Sequence, residues 1–264
     1  MSKEREMAIS RVALVTAGAS GIGRAIAEEL HASGAQVHIC DIDSQAIAAC
    51  LSANPEITAS ELDVSRVQDV DTLFTEFSAR YSQLDILVNN VGIAGPTAPV
   101  DKIDPEDWDE TISVDLSAAF YVTRLATPLL RITRGTIVNM ASNASLFGFP
   151  LRSPYTAAKW GLIGLTKTWA MELGPDGINV NAICPGSVQG PRIDSVIEKD
   201  AVERGVSAEE IRAIYERQSS MRAFVNSDEI AATVNFLCSP AAKKISGQAL
   251  AIDGHTEGLS NWLS

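Results

Sequence analysis

Arg11-Val12-Ala13-Leu14-Val15-Thr16-Ala17-Gly18-Ala19-Ser20-Gly21-Ile22-Gly23 is the stretch that decides the fold. A short β-branched run ends at Thr16, a glycine-rich turn follows, and Ile22, Ile26, Ala27 and Leu30 then recur at helical spacing up to a stop at Gly34. Strand, glycine turn and helix in this order let the backbone approach a pyrophosphate at a helix N-terminus, where unpaired N–H groups and the helix dipole favour an anion. Gly18, Ser20, Gly21, Ile22 and Gly23 are therefore candidate cofactor contacts. A glycine turn alone is weak evidence, and its weight comes from the next strand, Gln36-Val37-His38-Ile39-Cys40, which ends at Asp41, 18 residues past Gly23. A carboxylate there accepts from adenosine ribose hydroxyls and repels a 2′-phosphate. Neither Ser20 nor Ile42 offers the basic group that such a phosphate needs, so Asp41 and Ile42 predict NAD rather than NADP. The competing reading is a helix-capping aspartate beside a structural turn.

The alternation continues along the chain. Further strands are expected at Ile57 to Leu62, Leu84 to Asn89, Thr136 to Ala141, Asn179 to Cys184 and Ala249 to Ile252. Helices are expected at Ser44 to Leu51, Pro105 to Leu130, Pro154 to Leu173, Asp194 to Arg204, Ala208 to Arg217 and Asp228 to Cys238. The fold class that follows is α/β, a Rossmann-type doubly wound parallel sheet of about seven strands with helices on both faces, in a single domain.

No Pro/Gly/Ser-rich linker or internal repeat divides the 264 residues, of which 46% are hydrophobic. No apolar run approaches the ~18 residues of a membrane helix. Met1 to Ser10 mixes Lys3, Glu4, Arg5 and Glu6 without an apolar core, so neither a secretory signal nor a typical transit peptide is expected, and the location expected by default is cytoplasmic. Cys40, Cys50, Cys184 and Cys238 are far apart, with no C-x-x-C and no histidine spaced to join them, so reduced thiols and no metal site are expected. A formal charge of −12, with no basic stripe, opposes binding to nucleic acid or an anionic membrane.

The chemistry-bearing stretch runs from Ser142 to Lys159. Tyr155 and Lys159 are four apart at the start of an apolar helical run, so both side chains leave one helical face a turn apart. An ammonium beside a phenol favours the phenolate and brings it toward the range of a general acid or base. Ser142, ending the run Gly135 to Ala141, places a hydroxyl where it can donate to a carbonyl oxygen that gains charge. Alone, the tyrosine and lysine prove little; the independent glycine turn raises their weight.

With both signatures in place, the sequence resembles the short-chain dehydrogenase/reductase family from about Arg11 to Gly254. The resemblance puts the cofactor turn on Thr16 to Gly23, the adenine-contacting pair on Asp63-Val64, the strand-four motif on Asn89-Asn90-Val91-Gly92, the active-site serine on Ser142, the Tyr-x-x-x-Lys pair on Tyr155 and Lys159, and the nicotinamide-facing motif on Pro185-Gly186, with Val188 just beyond. It implies that Tyr155 is the acid/base and that Lys159 both favours its ionised form and holds the nicotinamide ribose. It implies a homotetramer pairing long helices and a substrate lid over residues 190–222, while the choice of NAD rests on Asp41. Four positions depart from the pattern. Ala17 replaces the first glycine, so the tightly turned residue is expected to shift to Gly18. Val91 adds bulk. Asp115 stands for the tetrad asparagine, and its carboxylate is placed to pair with Lys159. Gly190 replaces a threonine that meets the carboxamide, leaving that contact missing or supplied by Ser187 or Val188.

For the substrate, Phe147 and Phe149 offer an apolar wall, and Arg152 and Arg192 either hold an anionic group or are solvated or paired with acids. His31 and His38 are expected to be structural. The tail 255–264, with His255 and Trp262, is expected at a subunit contact or over a cleft, a disordered end being the alternative. The function expected is NAD-dependent oxidation of a secondary alcohol, a sugar, polyol or hydroxy acid, with a ketoacyl reductase and a weakly catalytic dinucleotide sensor as alternatives.

Overall fold

The computed structural model describes residues 11–259. Met1 to Ser10 and Trp262 lie outside them. Seven strands, β1 (Val12–Thr16), β2 (Gln36–Asp41), β3 (Thr58–Glu61), β4 (Ile86–Asn89), β5 (Thr136–Met140), β6 (Asn179–Pro185) and β7 (Ala249–Ile252), pair in parallel in the order β3-β2-β1-β4-β5-β6-β7. Between them run α1 (Gly21–Ala32), α2 (Ser44–Ala53), α3 (Val67–Arg80), α4 (Pro105–Ile112), α5 (Ala118–Thr133), α6 (Ser153–Leu173), α7 (Pro191–Arg204), α8 (Ala208–Arg217) and α9 (Ser227–Leu237). The expected strands are all present, to within two residues at either end.

Alternation along the strands builds one core on each face. In β1, Val12 and Leu14 join Leu73, Phe77, Leu130 and Trp169, while Ala13 and Val15 join Ile26, Leu30, Ile230 and Val234. A buried leucine or isoleucine of this kind contributes about 2 kcal/mol through the apolar area it removes from water. That two-sided burial explains why the strands read as nearly continuous apolar runs.

The expected helix from Pro105 to Leu130 is interrupted. A π-helical turn at Ser113–Ser117 joins α4 to α5, and its extra residue rotates Asp115 inward to a 1% exposed position. Helix α7 starts at Pro191, three residues before the expected boundary, because proline suits a first helical turn. It packs with α8 around Val196, Ile197, Ile211, Ile214 and Tyr215, a small third core against Phe149.

His38 has partners that its sequence neighbourhood did not reveal: Nδ1 lies 2.8 Å from Thr58 Oγ1 and Nε2 3.2 Å from Ser60 Oγ, across the β2–β3 pairing. Phe77 and Tyr81 meet its ring edge-on. Burial pulls its pKa from the ordinary 6.5 down to about 4, Arg80 adding to the effect. Below pH 6.5 the unfolded chain therefore binds a proton that the folded one refuses, and stability falls as pH drops toward 4, by about 3 kcal/mol in full. Denaturant midpoints at pH 7 and pH 4.5 should show this acid loss in the wild type and most of it gone in His38→Gln. Equal losses in both proteins would exclude His38 as its source.

Candidate active site

The site is built on the carboxyl ends of the strands, beside the point between β1 and β4 where the strand order reverses. The turn after β1 keeps its tight residue at Ala17, with φ 48°, rather than passing it to Gly18 as expected. A left-handed alanine costs about 1 kcal/mol, and neighbouring contacts hold it there. Gly18 is required for packing instead: a Cβ would stand 2.6 Å from the Ile39 side chain. At Gly23 a Cβ would lie 2.0 Å from Ala17 O, so only glycine lets α1 start this close to β1. Asn90 braces the turn through Nδ2, which donates to Thr16 O and Ala17 O, both at 3.0 Å. Thr16 Oγ1 accepts from the backbone N–H groups of Asn90 and Val91. Thr16 was expected only as the first residue of the cofactor turn; its bracing of the β4 loop is decided by the tertiary structure.

Asp41 ends β2 and accepts from Ala19 N–H at 3.1 Å and Asp43 N–H at 3.2 Å. The cap of α2 is Asp43, so Asp41 is not the helix-capping aspartate of the competing reading. Asp63 accepts from the Ser65 backbone and hydroxyl, and Val64 is buried in the core.

Lys159 is buried at 2% exposure. Its Nζ donates to Met140 O at 3.2 Å and lies 3.4 Å from Asp115 Oδ2, an ionic contact rather than a well-directed hydrogen bond. Asp115 Oδ1 accepts from Ile93 N–H at 2.6 Å. The expected pairing of Asp115 with Lys159 is thus present, and Gly92 roofs it: a Cβ there would sit 3.1 Å from Nζ. Tyr155 is half-buried, its ring centroid 5.6 Å from Lys159 Nζ and 5.3 Å from Arg152 Cζ. Ser142 opens a short helical turn, its Oγ accepting from Ala144 N–H.

Arg152 is neither solvated nor paired with an acid. It is 3% exposed, stacks against Phe149 as well as Tyr155, and donates from Nη2 to Ala94 O at 2.5 Å and from Nη1 to Thr97 Oγ1 at 3.3 Å. Burial pulls its pKa below the ordinary arginine value, though a guanidinium stays charged at working pH. Arg192 is exposed and donates to Gly92 O at 3.0 Å.

A cavity of about 490 Å³ joins these parts. Its walls run from Ala17 and Ser20 to Gly23, past Asn90 and Gly92, over Ser142, Tyr155 and Lys159, to Pro185, Gly186, Ser187 and Val188. Phe149, Arg152, Arg192, Ile193 and Tyr215 line the far end, and Leu259 from the tail reaches it. Phe147 is not among the lining residues, contrary to expectation; nor are Gly18, Asp41, Ile42, Asp63, Val64 and Val91. Gly190 has φ 141° and ψ −179°, a conformation that glycine alone adopts readily, so a threonine does not fit this turn.

A family model described as enoyl-(acyl carrier protein) reductase matches residues 16–256. The chain belongs to the short-chain dehydrogenase/reductase family. It is 35% identical over 251 residues to the D-beta-hydroxybutyrate dehydrogenase of Cupriavidus necator, covering 92% of this chain and 96% of that protein. Among solved structures it resembles an actinorhodin polyketide ketoreductase with NADPH, at TM-score 0.89 and 33% identity over 96% of this chain and 98% of that one. It also resembles an NAD+-bound xylitol dehydrogenase, at TM-score 0.89 and 26% identity over 93% and 98% of the two chains. This short-chain dehydrogenase/reductase is thus an oxidoreductase of alcohol and carbonyl groups that uses a nicotinamide dinucleotide. Its own residues fit that group. No side chain caps the first turn of α1, a Cβ at Gly21 would meet nothing within 4 Å, and the cavity continues from there to Tyr155 and Pro185.

Proposed function

We propose that this chain is an NAD-dependent dehydrogenase of secondary alcohols, with Tyr155 as the acid/base. The observation that carries the reading is a half-exposed Tyr155 sharing one cavity with Ser142, Lys159 and the α1 turn. Gly21, Ile22 and Gly23 would hold the pyrophosphate, Lys159 the nicotinamide ribose, and Pro185, Gly186 and Val188 the nicotinamide face. When bound, the nicotinamide supplies the hydride acceptor or donor. Tyr155 takes the proton from the substrate hydroxyl in oxidation and returns it in reduction. Ser142 donates to the same oxygen and keeps it within reach of the phenol. Asp41 supports NAD, since its carboxylate at the turn opposes an added phosphate charge. Likeness to a ketoreductase with NADPH favours a ketoacyl reductase as the second reading; Asp41 and the net charge of −12 weigh against it.

The substrate class we favour is a hydroxy acid, with Arg192 meeting its charge. Arg192 lines the cavity, is exposed, and spends one hydrogen bond on a neutral carbonyl, and a similar protein is a hydroxybutyrate dehydrogenase. Residues 190–222, with Ile193, Val196, Tyr215 and Gln218 on the cavity wall, form the substrate lid in this reading. Exposed Phe120, Trp160 and Met171 on α5 and α6 support a homotetramer; a monomer in light scattering would exclude it.

In a screen of sugars, polyols and hydroxy acids, NADH should form with at least one alcohol and faster with NAD than with NADP. Tyr155→Phe should lower kcat by at least about a hundredfold while NAD binding is kept. An active phenylalanine variant would refute the acid/base role, and NADP preference would refute the part given to Asp41. Arg192→Ala should raise KM for an anionic substrate several-fold more than for a neutral analogue; equal changes would remove the arginine from substrate recognition.

A further inference from the structure

The far end of the cavity is closed by a residue from the segment after β7. That segment turns back onto the end of α8. Ser219 Oγ donates to Gly254 O at 2.9 Å, Ser220 N–H to His255 O at 3.0 Å, Met221 N–H to Gly254 O at 3.2 Å and Glu257 N–H to Gln218 O at 3.2 Å. Ser219 and Thr256 pair as in an antiparallel sheet, and Asn143 Nδ2, on the loop of Ser142, donates to Thr256 Oγ1. Two residues past Glu257, Leu259 lies on the cavity wall yet is only 3% exposed. Little of the space it fills is already open, so a shorter side chain there adds volume to the cavity itself.

The groups around Leu259 are apolar or already committed. Phe149, Ile193 and Val196 offer hydrocarbon to the same cavity. The Tyr215 hydroxyl donates to Asp200 Oδ2 at 3.4 Å, and Arg152 spends its Nη donors on Ala94 O and Thr97 Oγ1 while buried Asp200 attracts its charge. The two unpartnered donors nearby, Arg152 Nε and Gln218 Nε2, are themselves buried. A substrate rich in hydroxyls loses their hydrogen bonds to water at such a wall, which is costly, whereas a hydrocarbon chain gains by leaving water. We propose that Leu259 is a specificity-determining residue: it ends a hydrocarbon-accepting pocket, so the alcohol oxidised carries an apolar chain on its carbinol carbon rather than further hydroxyls, and Leu259 sets how long that chain is. The inference deepens the reading of this site as that of a secondary-alcohol dehydrogenase and rests on it. Arg192, exposed, stays available for a charged group.

Binding tests this without turnover. An alcohol and a reduced cofactor do not react with each other, so 2-butanol, 2-hexanol and 2-octanol can be titrated into the protein saturated with whichever reduced nicotinamide dinucleotide it binds, and followed by cofactor fluorescence. Each CH₂ fully buried is worth about fourfold in affinity. In the wild type this gain should stop at the length that meets Leu259. Leu259→Ala should extend it, raising affinity for 2-octanol relative to 2-butanol by about tenfold, and Leu259→Phe should lower the same ratio. An unchanged length dependence in both variants overturns the proposal, and so does sorbitol binding more tightly than 2-hexanol in the wild type. An equal loss for every alcohol in Leu259→Ala also overturns it, since that is the mark of a merely structural residue. If Leu259→Ala does not fold, Leu259→Phe decides by the same ratio. Failure of the dehydrogenase reading shows separately, as activity surviving in Tyr155→Phe.

Discussion

A lysine side chain only 3% exposed keeps its charge in a protein interior only if its surroundings compensate for the lost water. Here Asp115 provides a carboxylate, Met140 a carbonyl, and Gly92 the space, since any larger residue would crowd both charged groups. Much of the site is arranged by that requirement. The π-helical turn between α4 and α5 brings Asp115 inward, Ile93 N–H fixes its other oxygen, and the β4 loop is thereby tied to the helix that carries Tyr155. A buried pair of this kind is weak as a source of net stability and strong as a constraint on geometry, because removing either partner leaves an isolated charge.

The parallel sheet makes that arrangement accessible. Its strands all point the same way, so the ends of β1, β4, β5 and β6 deliver the glycine turn, Asn90, Ser142 and Pro185 to one rim. The order reverses between β1 and β4, and the loops there part to leave a crevice. Thr16 and Asn90 cross that gap with three hydrogen bonds between side chain and backbone and one more from Asn90 to Ala17. The cavity is therefore a consequence of topology, held to its shape by polar contacts at the switch point.

Three departures from the family pattern are accommodated in different ways. Ala17, standing for a glycine of the family pattern, takes a left-handed conformation and carries the strain. Asp115 puts a counter-ion where the family pattern has an amide, which changes the charge balance around Tyr155. Gly190 takes a backbone conformation that other residues rarely adopt, so a threonine has no place at that position.

The sequence by itself determined the sheet, most of the helices, the glycine turn and the shared helix of Tyr155 and Lys159, because period-two and period-3.6 patterns, glycine spacing and a four-residue Tyr–Lys interval are local signals. It also marked Asp115 as placed to meet Lys159, through alignment with a known pattern. Only the tertiary structure decided what Arg152 and Arg192 do: forty residues apart in sequence, one is sealed between two aromatic rings and the other is left in solvent, and no local pattern distinguishes them. The same holds for Phe147 and Phe149, of which only the second faces the cavity, and for His38, whose partners lie on the neighbouring strand. Burial and cross-strand pairing depend on which distant segments come together, and that is a property of the packed chain rather than of any stretch within it.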